Sequence, residues 1–201
     1  MIRKYLEKNS VRKLQIGCQN AIIEGWLNTD LIPRNRKVAY LDATKKFPIK
    51  DQTFDYIFSE HMIEHIPYKR AQFMLKECYR ILKIGGRIRI STPNLEFIAS
   101  VYFNNSKDVM DYINFSGKYL EDMPVSRTTI INNFFYNWGH CFIYDFNTLK
   151  DIIEEAGFSH IICCKPGESQ VEFFSGIERH QNHIGKFNEL ESMVLEGIKQ
   201  N

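Results

Sequence analysis

A glycine and an aspartate in the first thirty residues have the types and spacing of a nucleoside-binding crevice. Gly17 follows the short apolar run from Leu14 to Ile16, and Asp30 closes the next run along the chain. Glycine lets the backbone approach a ligand where a Cβ would clash, and a carboxylate can accept hydrogen bonds from both hydroxyls of a ribose. Taken alone, the pattern fits a nucleoside crevice and a purely structural turn about equally well.

Two histidines are suited to move a proton in a group-transfer reaction. Imidazole titrates near neutrality, so it can take the proton that a hydroxyl or amine loses when it attacks. His140, within NWGHCFIYD, is the preferred candidate for a general base, and His61 is the second candidate. An isolated histidine is more often a structural hydrogen-bond donor, so this catalytic role depends on geometry.

The run from His61 to His65, HMIEH, matches the HxxEH pattern of a class of zinc peptidases. Such a metal site needs a helix that presents both histidines on one face. Here the motif directly follows a predicted strand, and Pro67 comes two residues after it. The cysteines also lack the paired CxxC spacing of a zinc site. The sequence therefore predicts no metal site, and Glu64 and His65 are expected to cap or brace the following helix.

These residues lie among short apolar runs that alternate with helical or loop segments. Strands are predicted at 14–16, before Asp30, and at 38–41, 54–58 and 87–91, with a helix over 68–82 that is closed by Gly85 and Gly86. Such alternation implies right-handed crossovers and a mostly parallel sheet. Ligands of such sheets bind outside the carboxyl ends of the strands, where Asp30, Asp42 and Glu60 fall.

Residues 95–145 leave the sheet pattern and form a long insertion that is rich in aromatic side chains. Segments of that length are usually functional or disordered, and the aromatic content argues against disorder. A lid or substrate wall and a satellite core between helices are equally good interpretations. A helix over 146–156 then leads back to the sheet, where 192–198 is predicted to pair antiparallel with 158–163.

Together these segments resemble the class I S-adenosylmethionine-dependent methyltransferases, in particular small bacterial members with an LxIGCG opening and a GWxNxD second strand. The resemblance covers nearly the whole chain, and FDYIFSEHMIEHI followed by a helix and LKIGGRIRISTPN is its most specific part. It implies an α/β fold with a doubly wound, mostly parallel, seven-stranded Rossmann-like sheet and an antiparallel last strand. It also implies a single domain over residues 1–201, with the insertion as a lid, and S-adenosyl-L-methionine as the cofactor.

The resemblance also implies roles for individual residues. Asp30 would hold the ribose, Asp42 and Ala43 would meet the adenine, and Glu60 and His61 would lie near the reacting methyl group. The residues predicted to bind the cofactor are Gly17, Cys18, Gln19, Asp30, Leu31, Asp42, Ala43, Ser59, Glu60 and His61. The residues predicted to face the acceptor, a small-molecule or sugar hydroxyl or amine, are Tyr136, Trp138, His140, Glu178 and His180.

The chain departs from the family pattern at the first turn. Gln19 and Ala21 stand where the family has glycines, so side chains are expected to narrow the space for the carboxypropyl tail. The short segment from Gly17 to Asp30 leaves no room for a long helix, whose N-terminus would favour an anionic ligand. The alternative function is therefore a non-catalytic binding protein of this fold that has lost the cofactor. A nicotinamide-dependent oxidoreductase is disfavoured, because GxGxxG is absent.

Composition is that of one soluble globular domain. The chain has 201 residues, of which 44% are hydrophobic and 25% charged. A net charge of +2 gives no broad basic field, so no nucleic-acid partner is predicted. The charged start lacks a signal-peptide core, and no run reaches the roughly 18 apolar residues of a membrane span. We therefore expect a cytoplasmic monomer or homodimer that acts on a small-molecule or glycan acceptor.

Overall fold

In the computed structural model, which describes residues 1–120 and 122–201, seven strands form one sheet in the order β3-β2-β1-β4-β5-β7-β6. The strands are β1 (Lys13–Ile16), β2 (Leu27–Asp30), β3 (Val38–Tyr40), β4 (Phe54–Glu60), β5 (Leu82–Pro93), β6 (Ser159–Cys164) and β7 (Ser192–Ile198). The strands from β1 to β5 pair in parallel, and β7 runs antiparallel to both β5 and β6. The predicted fold class, including the antiparallel last strand, is confirmed.

Eight helices surround or flank this sheet in the described part of the chain. They are α1 (Ile2–Lys8), α2 (Tyr68–Ile81), α3 (Leu95–Phe103), α4 (Lys107–Ser116), α5 (Arg127–Tyr136), α6 (Phe146–Glu155), α7 (Gln181–Ile184) and α8 (Asn188–Glu191). Among the described helices, none is long and apolar enough to cross a membrane.

The two glycines after α2 do not close that helix, contrary to the prediction. The helix ends at Ile81, because Leu82 is already extended and begins β5. Gly86 lies inside the strand, where a Cβ would come within 2.8 Å of the Lys83 carbonyl oxygen. Gly85 donates its backbone N–H to the Lys199 carbonyl. Gly85 and Gly86 therefore allow a tight bend in the strand and do not cap the helix.

Strand β4 shows how the two faces of the sheet are covered. Phe54 and Ile57 point into the large core beneath α2 and α6, whereas Phe58 points to the opposite face. There Trp26 and Phe174 pack against Phe58, with ring centroids of Trp26 lying 6.3 Å from Phe58 and 6.2 Å from Phe174. Ile57 and Phe58 alternate between the two faces, so adjacent residues of one strand supply both cores.

The short connection between β1 and β2 is built of turns, as the spacing predicted. Asn28 holds it together: its side-chain oxygen accepts from the Ile23 N–H at 2.9 Å, and its amide donates to the Ile23 and Trp26 carbonyls. Gly25 adopts a φ of +76°. The tryptophan and asparagine of the GWxNxD segment therefore replace a crossover helix with a packed turn.

The insertion over 95–145 folds mainly as α3, α4 and α5 around a separate small core. Tyr112 and Phe134 are buried in this cluster, together with Phe187 from the segment before β7. Tyr112 and Phe134 also line a cavity that opens toward the sheet, together with Phe115 and Trp138. The satellite core and the cavity wall therefore share aromatic residues. The role of the segment as a lid stays a prediction.

Candidate functional site

Three adjoining cavities lie at the carboxyl ends of the parallel strands. The aspartate cavity, with Asp30 and Asp42 in its wall, has a volume of about 200 Å³. The glycine-turn cavity, lined by residues 17–22, has about 540 Å³, and the aromatic cavity beneath the insertion has about 690 Å³. Gln19 and His61 line all three cavities. A ligand that occupied the first two would therefore meet the third at these residues.

Asp30 ends β2 with its carboxylate at the aspartate cavity. One oxygen accepts from the Gln19 N–H at 2.8 Å, and the other accepts from the Ile32 N–H at 2.9 Å. A carboxylate oxygen can accept more than one hydrogen bond, so both can still receive a hydroxyl. Leu31 lies beside it in the cavity wall.

Asp42 stabilises a turn, a role that the sequence did not indicate. Its Oδ1 accepts from the N–H and the hydroxyl of Thr44, at 2.9 and 2.6 Å, and Lys45 Nζ lies 3.1 Å from Oδ2. The hydrogen bonds from Thr44 lower the pKa of the Asp42 carboxyl. Asp42 thus organises the turn after β3, while Ala43 adds an apolar contact to the same cavity.

Gly17 is required by its close contact with a protein side chain. Its φ is +72°, and a Cβ built on it would lie 2.2 Å from Met62 Cγ. Met62 also lines the aspartate cavity. The close approach that the sequence attributed to a ligand is therefore made to Met62.

We expect Gly17→Ala to lower the free energy of unfolding by about 2–4 kcal/mol, because alanine disfavours positive φ and its methyl group would overlap Met62. Urea denaturation measures the change. Gly176→Ala is a matched control, since Gly176 has a φ of +64° and, in the described part of the chain, open space around its Cβ direction. An equal loss in both variants would contradict the Met62 contact.

Gln19 occupies a glycine position without filling the cavity. Its φ is +44°, and the bond from its N–H to Asp30 holds this left-handed conformation. The side chain is exposed at the cavity mouth. Cys18 beside it is buried, and burial, together with nearby Asp30, raises the pKa of its thiol to about 11. The turn therefore presents a neutral thiol and backbone amides.

His61 stands at the junction of the cavities in a strained backbone conformation, with a φ of +44°. Its Nε2 lies 2.9 Å from Ser192 Oγ, its Nδ1 lies 3.4 Å from Glu64 Oε1, and its ring stacks on His180 with centroids 3.8 Å apart. Burial opposes a charged ring, but Glu64 raises the pKa of His61 above its ordinary value. Nε2 is hydrogen-bonded to Ser192, and Nδ1 faces the buried Glu64 carboxylate without a hydrogen bond of good geometry, which disfavours His61 as a general base.

Glu60 lines the glycine-turn cavity, but its carboxylate is occupied by backbone donors. Both oxygens accept from the Arg179 N–H at 2.9 Å, and one also accepts from the His180 N–H at 2.9 Å. Glu60 therefore ties the segment before α7 to the end of β4. The same tie places His180 against His61, where it lines both the glycine-turn and aromatic cavities.

Three predicted site residues lie away from the cavities. Ser59 is buried and donates to the Ile16 carbonyl at 3.3 Å, so it joins two strands. Tyr136 is 81% exposed at the end of α5. Glu178 is 1% exposed and pairs with Arg89 at 2.6 Å. These three side chains line none of the three cavities.

The pairing of Glu178 belongs to a buried ionic cluster that sequence reasoning missed. Arg89, fully buried on β5, also pairs with Glu196 on β7 and donates to the Glu168 carbonyl at 3.1 Å. Glu178 in turn accepts from the Gly167 N–H at 2.9 Å. This cluster anchors the segment that continues into His180. The only indication of this cluster in the sequence is the arginine within the otherwise apolar run IRIS.

His140 faces the aromatic cavity with one ring nitrogen committed. Its Nδ1 donates to the Phe134 carbonyl at 2.6 Å, which leaves Nε2 as the nitrogen with a lone pair. Burial lowers the pKa of His140. Trp138 contacts its ring edge-on, with centroids 5.6 Å apart, and lines the same cavity.

Glu64 and His65 do not cap α2, which excludes one of the two roles predicted for them. They lie in a single turn of 3₁₀ helix over Ile63–His65, and α2 has Pro67 at its N-cap without a side-chain cap. Glu64 is fully buried, and its Oε2 accepts from Thr92 Oγ1 at 3.0 Å. One ligand-type atom from each of Glu64, His65 and His140 lies within 4.8 Å of the others. The expectation that the chain has no metal site stays a prediction, and this grouping is the place in the described residues where it can be tested.

Comparison with known proteins agrees with this architecture. The family model of a methyltransferase domain matches residues 24–90, about a third of the chain. A search of curated proteins found no match. Among solved structures, a SAM-dependent methyltransferase from Archaeoglobus fulgidus is similar, with 19% identity, a TM-score of 0.54, and 98% of this chain and 91% of that chain covered.

Two further structures extend the similarity. Phosphoethanolamine N-methyltransferase 2 from Haemonchus contortus, solved with S-adenosyl-L-methionine, has 15% identity and a TM-score of 0.52 over 96% of this chain and 50% of that chain. A SAM-dependent methyltransferase from Thermotoga maritima has 17% identity and a TM-score of 0.52 over 98% and 86%. At these identities the similarity establishes the fold, which is the Rossmann-like methyltransferase fold. The family match bears on residues 24–90 alone.

Proposed function

We propose that this protein is an S-adenosylmethionine-dependent methyltransferase of the small GWxNxD type that acts on a small-molecule or sugar hydroxyl or amine. One observation carries the proposal: two cavities suited to the two halves of this cofactor meet a third, acceptor-sized cavity at Gln19 and His61. The methyltransferase domain match and fold support the same cofactor.

The residues present fit a nucleoside with an amino-acid tail. Asp30 offers carboxylate lone pairs for ribose hydroxyls, and Met62 and Ile66 give the aspartate cavity apolar walls for a base. The glycine-turn cavity offers polar groups around Asn20 and Arg179 for the tail. Gln19 lines this cavity and leaves about 540 Å³ open, which favours a cofactor-binding protein over the non-catalytic alternative.

Bound S-adenosylmethionine would supply an electrophilic methyl group on a positively charged sulfur. The protein contributes alignment and exclusion of water, which are the main needs of an in-line displacement. Asp30 and the Gly17 turn hold the donor side in place. The aromatic cavity, with Phe115 and Trp138 in its wall, receives the acceptor. The attacking hydroxyl or amine must lose one proton in the reaction. His140 lines this wall and donates through Nδ1, so we propose that its Nε2 accepts that proton.

We expect His140→Ala to reduce turnover by about 100-fold or more while leaving cofactor affinity unchanged, because His140 lies on the acceptor side. The assay follows formation of S-adenosylhomocysteine with a panel of sugar, phenol and amine acceptors. Binding of S-adenosylhomocysteine, measured by calorimetry, is the control. A variant that lost turnover and cofactor binding together would contradict this division of the site.

The acceptor panel also tests the proposed activity itself. We expect at least one acceptor to give product above the background seen without acceptor. Cofactor binding with no product for any acceptor class would favour the non-catalytic binding protein as the function of this chain.

A further inference from the structure

We propose that Glu64, His65 and His140 form a binding site for one divalent transition-metal ion at the wall of the aromatic cavity. Their ligand atoms lie within 4.8 Å of one another, and all three side chains line this cavity. Only the role of the ion in methyl transfer rests on the proposed function. The existence of the site does not depend on it.

The carboxylate of Glu64 supplies the first independent sign of a ligand. Glu64 is fully buried, and among the described residues its Oε1 has no hydrogen-bond partner. His61 Nδ1 lies 3.4 Å and His65 Nε2 3.9 Å from this oxygen. Buried polar atoms in proteins are nearly always satisfied, so an orphaned carboxylate oxygen calls for a partner. A cation bound by Glu64, His65 and His140 would provide this partner.

The supporting contacts are those that metal-binding side chains need. Thr92 Oγ1 donates to the other carboxylate oxygen of Glu64 at 3.0 Å, which fixes the plane of the carboxylate. His140 donates its Nδ1 proton to the Phe134 carbonyl at 2.6 Å, which holds Nε2 unprotonated. Metal-ligating histidines commonly donate their other ring nitrogen to a carbonyl in this way. The rings of His65 and His140 meet edge to face, with centroids 4.9 Å apart.

The donor set indicates the class of ion. Two imidazole nitrogens and one carboxylate suit zinc, iron, cobalt or nickel, whereas magnesium and calcium prefer oxygen ligands throughout. Three protein ligands leave positions open, as in catalytic rather than structural zinc sites. The open positions face the aromatic cavity, because its lining includes all three residues.

An ion at this place would bind an oxygen atom of the acceptor next to His61, where the cavities meet. Coordination would lower the pKa of a bound hydroxyl, so that its proton could pass to solvent and the oxygen could attack the methyl group. His140 would then act as a metal ligand rather than as the base. Such a role would favour oxygen acceptors over amines.

The test is titration of the chelator-treated full chain with Co²⁺, followed by visible absorption, with Zn²⁺ and Mg²⁺ as competitors. We expect one Co²⁺ per chain, displacement by Zn²⁺, and no displacement by Mg²⁺ at the same concentration. Glu64→Gln and His65→Ala should each weaken Co²⁺ binding by more than about tenfold, since even supporting residues of metal sites have effects of that size. Glu64→Gln keeps the shape of the buried side chain and so guards against misfolding.

His160→Asn is the matched control, because His160 is exposed on β6, away from the cavities. Equal Co²⁺ affinity in wild type, Glu64→Gln and His65→Ala would overturn the site, as would the absence of Co²⁺ binding in folded wild type. S-adenosylhomocysteine binding is measured on the same samples. Cofactor binding without Co²⁺ binding would overturn only the metal site, and Co²⁺ binding without cofactor binding would overturn only the proposed methyl transfer.

Discussion

Asp30→Ala is expected to weaken binding of S-adenosylhomocysteine by about 100-fold or more. The variant loses a carboxylate that would accept from two ribose hydroxyls, and hydrogen bonds to charged groups contribute about 1.5–3 kcal/mol each. It also releases the Gln19 N–H, whose bond to Asp30 holds the turn at the cavity junction. Ligand site and turn geometry are therefore lost together.

Calorimetric titration measures this effect directly. Asp30→Asn should show an intermediate affinity, because asparagine keeps one oxygen that can accept from the ribose or from Gln19. Asp151→Ala is the control, since Asp151 is exposed on α6. An unchanged dissociation constant in Asp30→Ala would show that the nucleoside does not bind in the aspartate cavity.

Arg89→Met is expected to lower the free energy of unfolding by about 3–5 kcal/mol. The substitution keeps much of the side-chain volume but leaves the buried carboxylates of Glu178 and Glu196 without their cation. Removing one partner of a buried ionic group costs energy on this scale, because the remaining charge stays desolvated. The segment leading to His180 should loosen as well, since Glu178 anchors it.

Urea denaturation at neutral pH gives the comparison. Arg87→Met lies two residues earlier on the same strand in a half-exposed position, and we expect it to change stability by less than about 0.5 kcal/mol. Adding Glu178→Gln and Glu196→Gln to Arg89→Met should recover part of the loss, because the unpaired charges are gone. A loss in Arg89→Met no larger than in Arg87→Met would show that the cluster is not an energetic anchor.

The sheet, and the edge of it where the three cavities lie, were predictable because both follow from local patterns. The apolar runs that end at Ile16, Asp30 and Phe58 have strand length, and parallel strands bring their carboxyl ends to one edge. The short spacing from Gly17 to Asp30 likewise predicted a connection without a long helix. The extra length of β5 was missed, because the Gly85–Gly86 pair reads as a helix stop.

The inner workings of the site were not predictable, because they depend on contacts distant in sequence. In the sequence Glu178 looks like a cavity residue, whereas in the structure its carboxylate pairs with Arg89. In the sequence Glu64 looks like an acid that braces a helix. In the structure its carboxylate accepts from Thr92 and lies close to His65 and His140. Met62, which explains the need for glycine at position 17, carries no signal in the sequence at all.

The most direct test of the proposed cofactor site is calorimetric titration of the wild-type chain with S-adenosylhomocysteine, the product, which should bind without turnover. We predict a single site with a dissociation constant on the order of micromolar. No detectable heat and no thermal shift at about millimolar ligand would contradict a functional cofactor site, and would favour a binding protein that keeps the methyltransferase fold without its chemistry.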